Sequence, residues 1–327
     1  MNKKKIKLFG LVMMIFSTIF GFANSTVAYE QMGYGSIMWY ILAALFFFLP
    51  SALMLAEYGA AFKEAKGGIY SWLAGSVGEK IAFIGTFIWL ASWVIWLVST
   101  SNKVWIPLSA LLFDKDTTQS WNFSGLGATQ TIGLLAIIWI LGVTFFSTRG
   151  MDFVAKVGSI GGIFTIVLNV IFCVASVVIW IADHGALKQP ITSWSSFTTS
   201  PNPDFSTLVA LLSFVVYAIF AYAGMESLGG VMDDIEKPEK TFPRAVLIST
   251  LVIALSYSLM IFMWGISTNW QEVIGNNEAN LGNITYVLMY NLGVVLGQTL
   301  GLAAQTSQFF GVLMTRFAGL GMFIGYV

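Results

Sequence analysis

A glycine and a carboxylate interrupt an apolar stretch in the second half of the chain. The stretch runs from Phe214 to Gly230 and contains Gly224 and Glu226, although its composition is otherwise that of a membrane-spanning helix. A charged side chain at the bilayer centre costs about 3 kcal/mol on insertion scales, so an intramembrane glutamate indicates a functional site. The alternative is that Glu226 simply lies near the water interface.

A second weak stretch occurs near the N-terminus. Small and polar residues fill Gly21 to Thr26 inside an apolar run, as they fill Ala221 to Glu226. The two stretches lie five predicted helices apart, which is the offset expected between corresponding helices of two repeats. Transporters built from inverted repeats place broken helices at such matching positions. We therefore predict a break in each helix.

Broken helices expose backbone groups that could bind a zwitterion. Free N–H groups at the start of a half-helix favour an anion, and free carbonyl groups at the end of another favour an ammonium group. We predict that a carboxylate binds near Phe22 to Asn24 and an amine near Phe220 to Tyr222. The alternative is that these glycines and serines are ordinary close-packing residues of membrane helices.

The composition places these segments in a membrane protein. The chain has 327 residues, of which 57% are hydrophobic and 10% are charged, too little polar surface for a soluble globule. A single cysteine, Cys173, excludes an intrachain disulfide, and a lone His184 makes a poor metal site. No catalytic or nucleotide-binding motif is present. We predict a protein that is not an enzyme, with no cofactor, no metal and no nucleic-acid partner.

Apolar runs long enough to cross a bilayer recur along the chain. We predict eight spans and two halves, 1–183 and 204–327, that form a complete and a partial repeat of one transmembrane domain. The predicted spans are 8–29, 36–58, 79–101, 129–147, 153–182, 205–229, 243–267 and 294–327. A short amphipathic helix is expected near Tyr286 to Leu292.

The basic residues predict the orientation of the chain. With the N-terminus in the cytoplasm, twelve Lys and Arg residues fall in cytoplasmic segments and three, Lys103, Lys115 and Lys188, fall outside. This asymmetry is the positive-inside pattern of bacterial inner-membrane proteins. Arg316 remains inside the eighth span, where Glu57 or Glu226 could pair with it.

Two longer motifs resemble the amino acid, polyamine and organocation superfamily of transporters. The segment FAYAGMESLGGVMDDIEKPEKTFPRA, from Phe220, is similar to the superfamily pattern around helix 6. The segment LMLAEYGAAFKEAKGGIYSWLAG, from Leu53, resembles the pattern that closes helix 2, and WLASW, from Trp89, resembles helix 3 of arginine/agmatine antiporters. The likeness covers essentially the whole chain and is greatest to the glutamate/GABA antiporter branch.

The resemblance implies an all-α integral membrane protein with the LeuT-like fold of five plus five inverted helices, in which helices 1 and 6 are discontinuous. It implies an alternating-access carrier of amino acids or related amines, embedded in lipid, and leaves a homodimer open. Phe220 would close over the substrate, and Glu226 would link occupancy to gating. The full predicted substrate site comprises Gly21, Phe22, Ala23, Asn24, Ala91, Ser92, Trp96, Ser99, Phe220, Ala221, Tyr222 and Gly224.

Two features bear on mechanism. Proton symporters of the superfamily often carry a lysine midway along helix 5, where this chain has Thr165, which favours exchange, or a different coupling route, over that type of symport. The sequence also ends inside an apolar run, so we expect a partial second repeat. Two alternatives to a carrier follow from this: a membrane sensor that binds substrate without transporting it, and a non-transporting fragment of a carrier.

Overall fold

A computed structural model describes residues 5–62, 68–149, 151–226, 235–276 and 282–326. In these ranges the regular structure is helical apart from isolated β-bridges. The helices are α1 Leu8–Ile19, α2 Phe22–Met32, α3 Gly35–Ala43, α4 Leu49–Ala61, α5 Ile69–Val77, α6 Glu79–Lys103, α7 Trp105–Phe113, α8 Ala128–Ser147, α9 Met151–Ala182, α10 Leu208–Phe220, α11 Pro238–Ser267, α12 Ile284–Thr299 and α13 Ala304–Gly325. The π-helical turn Ala44–Phe48 joins α3 to α4.

Six helical segments in the described residues are long and apolar enough to cross a membrane. A seventh is obtained when α1 and α2, which bend by 49° at a short break, are taken as one span. Apolar side chains cover the surface of these helices: Ile95 of α6 is 70% exposed and Leu141 of α8 is 65% exposed. Such a surface requires lipid, so the predicted all-helical membrane fold is confirmed.

The chain divides into two compact units. Within the described residues, the first unit lies in Met1–Ser92 and Trp194–Ile261, and the second lies in Trp93–Ser193 and Phe262–Val327. The first therefore collects predicted spans one, two, six and seven, while the second collects spans four, five and eight. Helices α6 and α11 each pass from one unit into the other. Each unit thus takes residues from both halves of the chain.

The first unit contains the two interrupted helices. In it, α10 packs against α3, with the rings of Tyr40 and Phe214 6.3 Å apart. The segment before α1 also pairs with the segment before α11: Ile6 and Ile235 form a parallel bridge, and the Glu236 amide donates to the Ile6 carbonyl at 2.9 Å. These contacts hold the beginnings of α1 and α11 together.

The second unit is built on the packing of α12 against α13. Helix α13 also packs against α7 and α9. At Gly319 of α13, an added Cβ would lie 2.7 Å from the Pro107 carbonyl oxygen of α7, so only glycine permits this approach. Close backbone contact at small residues is the usual way in which membrane helices associate.

Two predicted spans differ from the helices observed. The sixth, predicted at 205–229, contains the shorter α10, which ends at Phe220, and residues 227–234 lie outside the described ranges. The eighth, predicted at 294–327, includes the end of α12 and all of α13. A turn with Gly301 at φ +74° separates these two helices because glycine adopts this conformation without steric cost. The amphipathic piece expected near 286–292 is part of α12.

Candidate functional site

The break between α1 and α2 consists of two extended residues. Phe20 has φ −74° and ψ 114°, Gly21 has φ −114° and ψ 123°, and helical geometry resumes at Phe22. The break therefore lies at the start of the predicted stretch Gly21 to Thr26, whose later residues form the first turn of α2. Helix breaks leave backbone groups without intrahelical partners, and at this break those groups come from Ile19 to Ala23.

The second break follows α10. Ala221 to Gly224 form a turn, and Gly224 has φ +118°, a conformation that L side chains rarely adopt. An added Cβ on Gly224 would lie 3.4 Å from the Thr18 side chain and 3.5 Å from the Thr18 carbonyl oxygen. Gly224 thus brings the break after α10 against the end of α1. The predicted break is present in the first span, whereas in the sixth the helix ends at Phe220 and residues 227–234 lie outside the described ranges; both places lie in the first unit.

One hydroxyl group connects the two breaks. Tyr257 of α11 is fully buried, and its Oη accepts hydrogen bonds from the Gly21 amide at 3.0 Å and from Asn24 Nδ2 at 3.0 Å. The same hydroxyl lies 3.3 Å from the Ile19 carbonyl oxygen and 3.2 Å from the Ala221 carbonyl oxygen. Two donors and two acceptors, drawn from both breaks, therefore surround a single oxygen.

Asn24 is a second centre of polar contacts. In addition to its bond to Tyr257, its Oδ1 accepts from the Tyr217 hydroxyl at 3.3 Å, and its backbone carbonyl accepts from the Tyr40 hydroxyl at 3.1 Å. Its backbone amide donates to the Gly21 carbonyl at 3.1 Å. Three tyrosines from α3, α10 and α11 thus fix the orientation of one asparagine.

The structure brings together Gly21, Asn24, Ala221 and Gly224 of the predicted site. Ala23 adjoins them and is partly exposed, and its amide donates to no protein group among the described residues. Phe22 and Tyr222 are each 1% exposed, and the Tyr222 hydroxyl donates to the Tyr40 carbonyl at 3.0 Å. Tyr222 therefore contributes to the interior of the unit rather than to an open wall.

The two predicted gating residues have different surroundings. Phe220, the last residue of α10, is 47% exposed. Glu226 Oε2 accepts a hydrogen bond from the Gly224 amide at 3.1 Å. The carboxylate of Glu226 is therefore bonded to the same turn that contacts the end of α1.

The predicted site residues on α6, which corresponds to helix 3 of the superfamily, lie farther apart from one another. Ala91 and Ser92 lie on α6 at the edge of the first unit, and the Ser92 hydroxyl donates to the Trp89 carbonyl of its own helix at 2.6 Å. Trp96 and Ser99 lie farther along α6, in the second unit, and Trp96 is 44% exposed. Their part in a substrate site stays a prediction.

Arg316 has an acidic partner that the sequence did not indicate. It forms an ion pair with Asp114, in which Nη2 lies 3.2 Å from Oδ2 and Nε makes a second contact with Oδ1. Asp114 follows α7, which packs against α13 in the second unit. The pairing of Arg316 with Glu57 or Glu226 that the sequence suggested is therefore wrong.

Comparison with known proteins identifies the family. Residues 6–327 match the family model described as amino acid permease. The chain belongs to this family. The "Inner membrane transporter YjeM" of Salmonella typhimurium is 49% identical over 323 residues, which is 99% of this chain and 64% of the relative. The resemblance inferred from the sequence motifs is confirmed.

More distant relatives are also transport proteins. A "Glutamate/gamma-aminobutyrate antiporter" of Lactococcus lactis subsp. cremoris is 28% identical over 263 residues, covering 79% of this chain and 48% of the relative. The "Aspartate/glutamate permease AcaP" of the same organism is 23% identical over 325 residues, covering 98% of this chain and 62% of the relative. The permease family confirms that the chain is not an enzyme. The chain spans 64% or less of the length of these relatives.

Sequence reasoning missed the tyrosines that bond the groups around the two breaks. Tyr40, Tyr217 and Tyr257 lie within apolar runs, where they look like packing or interfacial residues. A signal was available, because a buried tyrosine hydroxyl normally requires a hydrogen-bond partner and a broken helix supplies such partners. The sequence does not show which tyrosine meets which break.

Proposed function

We propose that this amino acid permease is a secondary active transporter that exchanges amino acids or related amines across the bacterial inner membrane by alternating access, with its N-terminus in the cytoplasm. The observation that carries the proposal is the convergence of the two helix breaks within the first unit. A backbone donor of the first break, the Gly21 amide, and a backbone acceptor of the second, the Ala221 carbonyl, lie 3.0 Å and 3.2 Å from the same atom, Tyr257 Oη. An α-amino acid needs donors for its carboxylate and acceptors for its ammonium group, and the two breaks supply both kinds. The names of the relatives supply the substrate class.

The contacts of the breaks suggest how each charged group of a substrate would be bound. The Gly21 amide is used by Tyr257, and the Asn24 amide by the Gly21 carbonyl. The amide of Ala23, in the first turn of α2, remains for a carboxylate, which the positive end of the helix would also stabilise. A carbonyl oxygen has two lone pairs, so the Ala221 carbonyl can accept from an ammonium group as well as from Tyr257.

Exchange is proposed from two considerations. One relative is named as an antiporter, and Thr165 occupies the position of the lysine found in related proton symporters. Glu226, bonded to the turn at Gly224, would sense substrate in the neighbouring break and link occupancy to conformational change. Exposed Phe220 would fold over the substrate, and Ala91, Ser92, Trp96 and Ser99 would line the wall that the family resemblance assigns to the third predicted span.

The test is counterflow in liposomes preloaded with unlabelled glutamate, γ-aminobutyrate and neutral amino acids. We expect saturable uptake of a labelled amino acid only when substrate is present inside, and its loss in Glu226→Ala. Glu272→Ala, which removes an exposed carboxylate outside the breaks, should leave uptake unchanged. Amino acid methyl esters and N-acetyl amino acids should compete weakly, because each lacks one of the two charged groups.

The alternative outcomes separate the other functions. Saturable binding of a labelled amino acid without accumulation would favour a membrane sensor. Uptake only after the chain is extended with the C-terminal part of the 49%-identical relative would mean that these residues need further helices for transport. Uptake that survives Glu226→Ala would retain the carrier and exclude this carboxylate from coupling.

A further inference from the structure

Tyr257 occupies an unusual position between the two helix breaks. Its hydroxyl has one proton and two lone pairs. The Gly21 amide and Asn24 Nδ2 use both lone pairs, and the single proton is shared between the carbonyl oxygens of Ile19 and Ala221. Every hydrogen-bonding capacity of the hydroxyl is therefore used by groups at the breaks.

The three backbone partners of Tyr257 are groups that the loss of helical geometry leaves without an intrahelical bond. In hydrocarbon, backbone polar groups must be satisfied within the protein, since water is not available. A single side chain on α11 satisfies an amide and a carbonyl at the first break and a carbonyl at the second. The two breaks are thereby connected by one proton as well as by contact at Gly224.

The ring of Tyr257 is held as firmly as its hydroxyl. It lies 4.8 Å from the ring of Phe20, 4.9 Å from that of Tyr40 and 5.7 Å from that of Tyr222. Phe20 belongs to the first break and Tyr222 to the second. Phe20 and Tyr222 pack against the ring and so hold the hydroxyl in position between the two breaks.

We propose that Tyr257 is a positioning residue that fixes both helix breaks in the geometry needed to bind substrate and makes them loosen or tighten together. The inference rests on the proposed function, because it assigns the breaks to the substrate site. Tyr257 itself does not contact the substrate. It acts through Asn24, whose amide it orients, and through the Ala221 carbonyl, whose second lone pair it leaves for an amine.

The first experiment compares hydrogen–deuterium exchange of Tyr257→Phe with that of wild type and of Thr250→Val. Thr250 is also a buried residue of α11, but its hydroxyl donates to the Val246 carbonyl of its own helix at 2.8 Å. In Tyr257→Phe we expect exchange to rise about tenfold in peptides covering both 20–24 and 221–225, because one hydrogen bond is worth roughly this factor. Thr250→Val should leave both peptides as protected as in wild type.

The second experiment measures exchange kinetics in proteoliposomes with whichever amino acid the wild type transports. Tyr257→Phe should raise KM about tenfold while the maximal rate changes less than threefold, because the binding geometry is disturbed and the ring is retained. In the double variant with Asn24→Leu, KM should match that of Asn24→Leu alone, since both changes remove the same hydrogen bond between Tyr257 and Asn24. A residue that only stabilises the fold would lower the maximal rate and leave KM unchanged.

A conservative replacement separates the two sides of the hydroxyl. An amino group, in 4-aminophenylalanine at position 257, donates well and accepts poorly. It should restore protection at 221–225 more than at 20–24, and it provides a folded variant if Tyr257→Phe does not fold. If Tyr257→Phe raised deuterium exchange at only one break, or at neither, the proposal would be overturned. If neither the wild-type chain nor its C-terminally extended version transports an amino acid, the proposed function fails, whereas the deuterium experiment still decides the role of Tyr257.

Discussion

The two units solve opposite problems of helix packing in a membrane. In the first unit, interrupted helices leave backbone groups without intrahelical partners, and the Tyr257 hydroxyl of α11 bonds three of them, the Gly21 amide and the carbonyls of Ile19 and Ala221. In the second unit, α12 and α13 keep their own backbone bonds and approach through small residues, as at Gly293 against Phe310 and Gly297 against Ser307. The breaks of the first unit depend on specific polar bonds, whereas the contact of α12 with α13 depends on shape.

This difference supports the proposal that the substrate site lies at the breaks of the first unit. A backbone that is fully bonded within its helix offers nothing to a polar ligand, whereas a broken helix presents donors and acceptors. A hydrogen bond within the protein can also be replaced by a hydrogen bond to a ligand. A close contact at a glycine offers no such replacement. We therefore expect substitutions at the glycine contacts of the second unit to affect folding, and substitutions at the breaks of the first unit to affect binding as well.

The largest effect is expected at Gly319. Gly319→Leu would force apart α13 and α7, since even a Cβ would lie 2.7 Å from Pro107 O and from Leu111 N. Overpacking typically costs about 1–3 kcal/mol, and a backbone clash should reach or exceed the upper figure. Thermal unfolding in detergent, followed by size-exclusion chromatography, should show little folded protein. Gly142→Leu on α8 is the control, because a Cβ there meets nothing within 4 Å.

Asn24→Leu should come next, and should change binding as well as stability. The change removes one partner of the Tyr217 hydroxyl and one donor to Tyr257, and two lost hydrogen bonds at about 0.5–1.5 kcal/mol each cost about 1–3 kcal/mol together. We expect a lower melting temperature and at least a tenfold loss in substrate affinity. The control is Asn169→Leu, since the Asn169 amide donates only to Thr165 O of its own helix in the described contacts. Equal loss of affinity in both variants would contradict the comparison.

Gly224→Ala should have a moderate effect. The backbone at φ +118° is strained for any L side chain, and positions of this kind cost about 1–3 kcal/mol. The turn should relax and move away from Thr18, so the rate of substrate exchange should fall while the protein still folds. Initial rates of counterflow, compared with Gly162→Ala on α9, check this, because a Cβ at Gly162 meets no atom within 4 Å.

The smallest effect is expected at the ion pair in the second unit. Asp114→Asn weakens the contact with Arg316, but both side chains are substantially exposed, and exposed ion pairs contribute little to stability. The melting temperature and counterflow should match those of wild type. A substantial loss of transport in this variant would show that polar contacts matter for function in the second unit too.

Local sequence predicted the helix breaks but not their partners. Gly21 follows an apolar run, and Gly224 can adopt a positive φ, so short-range chemistry identifies both places. The spans were predicted from apolar length, but this missed the turn at Gly301 that divides the eighth span. In the sequence, a glycine in a turn looks the same as a glycine inside an apolar helix. The pairing of Arg316 failed for a different reason: charge alone does not tell which acidic residue is near.

The sequence by itself determined that this chain is a helical membrane protein of the amino acid permease family, with interruptions in its first and sixth predicted spans. Hydrophobicity, small residues and family motifs are read along the chain and need no knowledge of packing. Only the tertiary structure decided that Tyr257, more than two hundred residues from Gly21, satisfies both interruptions. A hydrogen bond depends on distance and direction in space, and helix packing alone fixes these for groups so far apart in the chain.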